Sequence, residues 1–258
     1  MHTEGLKKKE EKQMNDNSLR VSSGLMLRRW TAFGLAIFGM AALTTLTAFP
    51  AIVGFMPFWL TGNGEIGRLI TYQVLTLVMT VVIAIITARL IPDAFGRYFR
   101  VGDLAAPAGP VRVLGIRAGD TWRQIGARFM VIIASVTAAV VLLPAVAGDG
   151  FSLGLPYVAL ALCLAASNAF VEEYLTRFQI VASLTGTMSP GRIAIVSGAL
   201  FGSAHYLGTP GGPVGVVLAG FLGWLLAKSV LETRGIGWAW FIHFVLDVII
   251  FVAILGSL

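Results

Sequence analysis

The fold is decided by one stretch in the second half of the chain: Asn168-Ala169-Phe170-Val171-Glu172-Glu173-Tyr174-Leu175-Thr176-Arg177-Phe178. This stretch places two carboxylates and a guanidinium inside an apolar run that is otherwise long enough to cross a bilayer. An ionisable group at that depth is energetically costly. It therefore usually faces a polar interior, has a partner and marks a functional site.

The spacing of the charges in this stretch assigns their partners. Glu173 and Arg177 stand four residues apart with the acid first, which favours an ion pair on one helix face. Glu172 is rotated by about 100° from Glu173 and cannot share that pairing equally well. We therefore predict that Glu173 and Arg177 support the structure, while Glu172 is available for chemistry.

The composition of the whole chain defines its class. Of the 258 residues, 57% are hydrophobic and 12% are charged, and the mean hydropathy is +0.83. A soluble domain of this size does not have such a composition, whereas a bundle of membrane helices does. The single cysteine, Cys163, excludes an intramolecular disulfide and a cysteine zinc cluster, and we interpret it as a small core residue.

Repeated apolar runs predict an all-α polytopic bundle of about seven transmembrane helices, separated by turns rich in Gly, Pro, Asn and Asp. The predicted spans are Trp30–Leu60, Leu69–Leu90, Phe129–Val146, Leu155–Ala182, Ile193–Leu207, a sixth that follows Pro213 and ends at Leu231, and Gly237–Leu255. Small residues at Gly198, Gly202, Gly215 and Ala219 indicate close packing of the fifth and sixth spans. Ordinary glycine frequency in membrane helices explains them almost as well.

The distribution of Lys and Arg predicts the orientation in the membrane. Cytoplasmic loops carry an excess of these residues. A cytoplasmic N-terminus places the tail, the polar loop 93–124 and the turns at Arg192 and Lys228–Arg234 on that side. The opposite side then keeps only Arg68. We therefore expect the N-terminus in the cytoplasm and the C-terminus on the other side.

These features divide the chain into two parts. Residues 1–29 are polar and read as a disordered cytoplasmic tail, and residues 30–258 form the transmembrane bundle, with a catalytic core at about 155–255. The net charge of +6 reflects topology and does not indicate nucleic-acid binding. We expect a multi-pass protein of a bacterial plasma membrane, with the lipid bilayer as a partner and no nucleic acid.

Few other ionisable groups lie deep in the predicted spans. Of thirteen acids, only Glu172, Glu173 and Asp247 lie well inside apolar runs, and two of the three histidines, His205 and His243, do as well. His243 and Asp247 are one helical turn apart on the same face. Counting ~1.5 Å per residue from the cytoplasmic helix ends, we expect these groups to meet in a cavity that opens to the cytoplasmic half.

Such a cluster suits hydrolysis by an activated water. A glutamate near imidazoles in a low-dielectric pocket can act as general base on water, and a second His or a carboxyl group can stabilise the developing oxyanion. Glu172, His205 and His243 also form a reasonable zinc ligand set with one open position, so zinc is a possible cofactor. Ser203 is no supported nucleophile, because its spacing from His205 puts the two on different helix faces.

The chain resembles the CPBP family of intramembrane proteases in three ordered motifs: Glu172-Glu173-x-x-x-Arg177, Phe201-x-x-x-His205 and His243-x-x-x-Asp247. The family comprises the CAAX prenyl protease 2 and the bacteriocin-processing (Abi) proteases. The resemblance covers about residues 172–247. The first three spans match only in being membrane helices.

The resemblance implies a role for each motif residue. Glu172 would activate the attacking water, and His205 would help to hold that water. His243 and Asp247 would line the site and stabilise the tetrahedral intermediate. Asp247 stands where the prenyl protease branch often has Asn, and an ionised Asp only accepts hydrogen bonds. Structural support would come from Glu173, Arg177 and Phe201.

We therefore predict an intramembrane endopeptidase that cleaves a peptide or protein near the cytoplasmic leaflet. Lipidated and membrane-embedded substrates both fit this prediction. The family is described both as glutamate proteases and as metalloproteases. The lack of thiol ligands and the proximity of Arg177 favour a metal-free general base here.

Two other functional classes stay open at this point. Chains of Asp, Glu and His also form proton relays, so a proton-coupled membrane transporter is one alternative, although the spans show no inverted repeat and no paired interrupted helices. A non-catalytic immunity or scaffold protein on the same fold is the other. The presence of every motif residue argues against this second alternative.

Overall fold

The computed structural model describes residues 2–49, 63–208 and 211–258, with side chains from residue 23 onward. These residues form ten α-helices and no β-strand, which confirms the predicted all-α class. The helices are α1 (His2–Ala48), α2 (Gly64–Leu90), α3 (Pro92–Tyr98), α4 (Trp122–Thr137), α5 (Leu143–Ala147), α6 (Leu155–Glu173), α7 (Gln179–Leu184), α8 (Pro190–Ala204), α9 (Gly212–Thr233) and α10 (Gly237–Gly256).

Two π-helical turns join some of these helices into longer ones. The turn Ala138–Leu142 connects α4 to α5, and the turn Tyr174–Phe178 connects α6 to α7. In the described part of the chain, six helices are long and apolar enough to cross a membrane, so the chain is an integral membrane protein. They cover Ser23–Ala48, Gly64–Leu90, Trp122–Ala147, Leu155–Leu184, Gly212–Thr233 and Gly237–Gly256.

The predicted fifth span explains why the structure has six long apolar helices in its described residues where about seven were predicted. It corresponds to α8, which has 15 residues and is about 22 Å long at ~1.5 Å per residue. That length is less than the ~30 Å of a bilayer core. Helix α8 therefore ends inside the bundle, and His205 follows it in a short 3-10 turn, His205–Leu207.

Close packing holds α8 against α9, as the small residues predicted. A Cβ atom on Gly198 would lie 2.7 Å from the carbonyl oxygen of Gly220, and one on Gly202 would lie 2.5 Å from that of Val216. Both distances are too short for a side chain. The glycines thus set how near α8 comes to α9, and with it the position of His205.

The N-terminal region differs from the expectation in its secondary structure. Helix α1 is continuous from His2 to Ala48 and includes the residues for which we expect a disordered tail. The Lys and Glu residues in this region are good helix formers, so a membrane helix can extend through them. The far end of the predicted first span, from Pro50 to Leu60, lies outside the described residues.

The connections gather at the two ends of the bundle. At one end, the amide of Asp103 donates to the carbonyl of Thr233 at 2.8 Å, and the amide of Ile236 donates to that of Arg100 at 2.9 Å. The loop 91–121 and the turns 185–189 and 234–236 meet there. We call this the Arg-rich end, because these segments contain Arg97, Arg100, Arg112, Arg117 and Arg234. At the opposite end, the amide of Ser152 donates to the carbonyl of Gly256 at 2.8 Å.

The interior of the bundle is built around the π-turn between α6 and α7. Every residue from Tyr174 to Leu184 is buried. In contrast, α2 and α4 expose large apolar side chains such as Val78 and Val131, as expected for surfaces in contact with lipid. Cys163 also lies on an exposed face, so the interpretation of it as a core residue is wrong. The sequence of α6 is apolar on both faces and does not show which one faces outward.

Candidate active site

Glu172 lies in the last turn of α6 and is the more accessible of the two adjacent glutamates, with 19% of its side chain exposed. Its Oε1 accepts a hydrogen bond from Nδ2 of Asn168 at 3.1 Å. Its Oε2 lies 3.7 Å from Nε2 of His243. The second distance is too long for a direct hydrogen bond and leaves room for a bridging water.

Glu173 is fully buried and has two charged or polar partners. Its Oε1 lies 3.1 Å from Nη2 of Arg177, which is also fully buried. The spacing-based prediction of this ion pair is confirmed. The same oxygen lies 2.7 Å from Nδ1 of His243, a contact that the spacing did not predict. Since a carboxylate accepts, Nδ1 donates, and Glu173 thereby fixes the orientation of the His243 ring.

Asp247 lies one turn after His243 on α10, as predicted, and both side chains are buried. Its Oδ1 is 3.6 Å from Nε2 of His243, and its Oδ2 accepts from Nδ2 of Asn168 at 3.1 Å. The Nε2 atom of His243 thus lies between the carboxylates of Glu172 and Asp247.

Phe201 packs at the centre of the motif residues, as expected. The guanidinium carbon of Arg177 lies 3.7 Å from the centre of the Phe201 ring, a cation–π contact. The His205 ring lies 4.2 Å and the His243 ring 6.1 Å from the same ring, centre to centre. Nδ1 of His205 contacts the carbonyl of Phe201 at 2.9 Å and must therefore donate. In the neutral ring, Nε2 of His205 is then free to accept from a water.

A cavity lies beside Glu172, with a volume of ≈130 Å³ open to water-sized molecules. A water needs roughly 10–15 Å³ of such volume, so the cavity has room for several waters or for part of a peptide. Of the four predicted catalytic residues, Glu172 and His205 line the cavity. His243 and Asp247 are not among the lining residues. His243 lies near Glu172, and Asp247 accepts from Asn168.

The described lining extends from Glu172 toward the opposite end of the bundle. It includes Thr47, the residue before the last of α1, and Tyr72, near the start of α2. On the other side of Glu172, toward the Arg-rich end, Tyr174 and Phe178 are fully buried. With a cytoplasmic N-terminus, this differs from the expected opening to the cytoplasmic half. Depth along single helices does not show where neighbouring helices leave a gap.

Three polar residues of the site received no role in the sequence analysis. Asn168 contacts both Glu172 and Asp247, and Gln73 donates to Oδ1 of Asn168 at 3.0 Å. Tyr72 lines the cavity, and its hydroxyl accepts from Thr47 at 3.4 Å. Gln73 could have been recognised from the sequence, because an amide inside an otherwise apolar span is costly unless it has a partner.

The suggested zinc ligands do not form a metal-binding arrangement. Among the described residues, no group of three or more His, Cys, Asp or Glu side chains has the geometry to hold a metal ion. Nδ1 of His205 is bonded to Phe201, and Nδ1 of His243 is bonded to Glu173. In each ring, only Nε2 is then left for a metal ion.

The helical fold and the polar cluster within it fit the resemblance to intramembrane proteases of the CAAX type. Residues 153–249 match the family model described as type II CAAX prenyl endopeptidase Rce1-like. The match includes all three motifs and confirms the resemblance to the CPBP/CAAX intramembrane proteases. No curated protein and no solved structure matches the chain. The family match indicates a peptidase that acts on a peptide or protein.

Proposed function

We propose that this chain is an endopeptidase in which the Glu172 carboxylate activates a water for attack on a peptide carbonyl. One observation carries the proposal. Of the two adjacent glutamates, Glu172 lines a cavity large enough for water and peptide, whereas Glu173 is fully buried against Arg177 and His243. A general base must reach the water that it deprotonates, and Glu172 meets this condition.

The reaction then needs two proton transfers, and Glu172 performs both. In the first step, it takes a proton from water as the water oxygen attacks the carbonyl carbon, which gives a tetrahedral intermediate with an oxyanion. In the second step, the C–N bond breaks and Glu172 returns the proton to the leaving amine. No side-chain nucleophile enters this scheme. The products are a carboxylic acid and an amine, which become a carboxylate and an ammonium group when the acid gives its proton to the amine.

His205 and His243 have complementary tasks in this scheme. Nε2 of His205 accepts from the attacking water, because the bond from its Nδ1 to Phe201 leaves that atom free. His243, when protonated on Nε2, donates to the oxyanion and stabilises it. Glu173 holds the His243 ring through Nδ1, and Arg177 in turn holds Glu173. Asp247 accepts from Asn168 and lines the rear of the site.

The proposed substrate is a peptide or protein segment that reaches the cavity from the membrane, with lipidated and membrane-embedded segments both included. Apolar side chains of α1 and of the turn after α8, such as Met40, Leu43 and Leu207, line the cavity and favour such a segment. The lining extends toward the end of the bundle opposite the Arg-rich end. We propose that cleavage takes place on that side of the membrane. A bacterial plasma membrane and metal-free catalysis are further parts of the proposal.

Labelling of new N-termini in a membrane extract tests the proposal. The purified protein in detergent is incubated with a solubilised bacterial membrane extract, and the new N-termini are labelled and identified. We expect cleavage products with the wild-type protein and their formation to be slower by about 10²-fold or more with Glu172→Gln. The same set of N-termini at the same rate with both proteins would reject the protease and would favour the transporter or scaffold alternatives.

A further inference from the structure

Asn168 lies at the meeting point of three helices in the site. It stands one turn before Glu172 on α6, and its Nδ2 lies 3.1 Å from Oε1 of Glu172 and 3.1 Å from Oδ2 of Asp247 on α10. Its Oδ1 accepts from Nε2 of Gln73 on α2 at 3.0 Å. Gln73 is itself buried.

The chemistry of an amide fixes this arrangement. A primary amide has two N–H donors on one side and one acceptor oxygen on the other. Two carboxylates face the nitrogen of Asn168, and a donor faces its oxygen, so each hydrogen bond has the correct sense. The reverse orientation would place the Asn168 oxygen against two acceptors. The two carboxylates therefore fix the orientation of the Asn168 amide, and Gln73 supplies the donor that its oxygen accepts.

We infer that Asn168, held by Gln73, is a positioning residue for catalysis. It gives one N–H to each carboxylate, keeps Glu172 in the orientation that faces the cavity, and stabilises two like charges that lie near each other. The inference rests on the proposed function, since it assigns Asn168 a role through Glu172. Asn168 itself need not touch the substrate.

A purely structural role for Asn168 is the competing explanation, because buried amides also hold membrane helices together. The chain contains a matched control for that role. Gln179 is a fully buried amide on α7 that bonds the carbonyl of Ala32 at 2.8 Å and Oγ1 of Thr87 at 2.7 Å. It links three helices as Asn168 does, but its contacts lie on the far side of the π-turn from Glu172.

The experiment compares Asn168→Leu with Gln179→Leu in the membrane-extract assay. Initial rates of new N-terminus formation are measured at limiting and at saturating extract, together with the melting temperature. We expect Asn168→Leu to lower the saturating rate by about 10- to 100-fold, since misplacing a catalytic group by a small distance has effects of this size. Gln179→Leu should lower the melting temperature and leave the rate of the folded protein unchanged.

A double-mutant cycle with Glu172→Gln separates positioning from general damage. If Asn168 acts through Glu172, then Asn168→Leu adds less than about a twofold loss once Glu172 is already Gln. A structural role would instead multiply the two losses. Gln73→Leu should show a smaller loss than Asn168→Leu, because it removes the anchor and leaves both N–H donors in place.

Two further variants keep the inference testable if Asn168→Leu fails to fold. Asn168→Ser keeps one hydroxyl donor and should recover part of the rate, and Gln73→Leu leaves Asn168 intact. Wild-type rates for both Asn168→Ser and Gln73→Leu would overturn the inference. An inactive Glu172→Gln protein together with a wild-type cleavage rate for Asn168→Leu would also overturn the inference, and the proposed function would remain valid. An active Glu172→Gln would instead reject the proposed function itself.

Discussion

Two neighbouring regions of one helix differ sharply in their surroundings. On one side, the cavity beside Glu172 contains space for water and is lined by α1, α2 and the turn after α8. On the other side, the packed segment Glu173–Phe178 is buried along its whole length. Two rings cover this segment, Phe95 of α3 and Phe99 directly after it, and their centres lie 5.3 Å and 5.4 Å from that of Phe178. Adjacent residues of the same type thus have different tasks because a rotation of about 100° separates them.

The largest expected effect belongs to the cavity side. Glu172→Gln removes the proposed base but keeps an oxygen that accepts from Asn168. Cleavage should fall by about 10²-fold or more, while the melting temperature stays equal or rises slightly. The measurement is peptide cleavage and thermal unfolding of the purified variant. Normal cleavage would show that the cavity side does not hold the base.

The packed side should respond in the opposite way. Glu173→Gln leaves the buried Arg177 without its charge partner and His243 without its strongest acceptor. Losing one member of a buried pair costs about 3–5 kcal/mol, so the melting temperature should drop together with activity. As a control, Glu173→Gln combined with Arg177→Met should recover stability, since no buried charge is left unpaired.

The two glutamate variants also test each other. A fully stable but inactive Glu173→Gln protein, together with an active Glu172→Gln protein, would mean that the two roles are reversed. The base would then lie on the same face as Arg177, and the contrast between the two regions would have to be abandoned.

Cysteine labelling sharpens the comparison by assigning each region a side of the membrane. In a Cys163→Ala background, Val113→Cys at the Arg-rich end and Asp149→Cys at the opposite end should react with an impermeant maleimide from opposite sides. The Lys and Arg distribution predicts that position 113 reacts from the cytoplasm. Thr47→Cys, in the cavity lining, should react from the same side as position 149. Labelling of positions 113 and 149 from one side would contradict the predicted topology.

The smallest expected effect is that of a chelator. If the base in the cavity works without metal, a permeant chelator should leave the initial rate of cleavage unchanged. Loss of activity that returns when zinc is added would reverse this part of the proposal. The residues assigned to the site would stay the same.

The sequence contained the information for those contacts that lie within one helix. The Glu173–Arg177 pair and the shared face of His243 and Asp247 follow from a spacing of four residues, and the structure has both. The apolar runs likewise predicted the spans, because a bilayer demands a minimum helix length.

The contacts between helices could not be predicted in the same way. The bond from His243 to Glu173 depends on how α10 is rotated against α6, and spacing carries no information on that rotation. The link from Gln73 to Asn168 has the same origin, since its residues lie 95 positions apart. The shape of the cavity depends on the end of α8, whose short length places His205 inside the bundle.

The π-turn Tyr174–Phe178 has a consequence for the helical phase of the long α6–α7 segment. Such a turn accommodates an additional residue compared with an α-helix. Toward the Arg-rich end, the packing of α7, whose residues are all buried, fixes the segment in place. Deleting one residue from the turn would restore a regular helix and rotate Glu172 by about 100° relative to that anchor. Every residue of the site would then still be present in the chain, but the carboxylate would no longer point into the cavity.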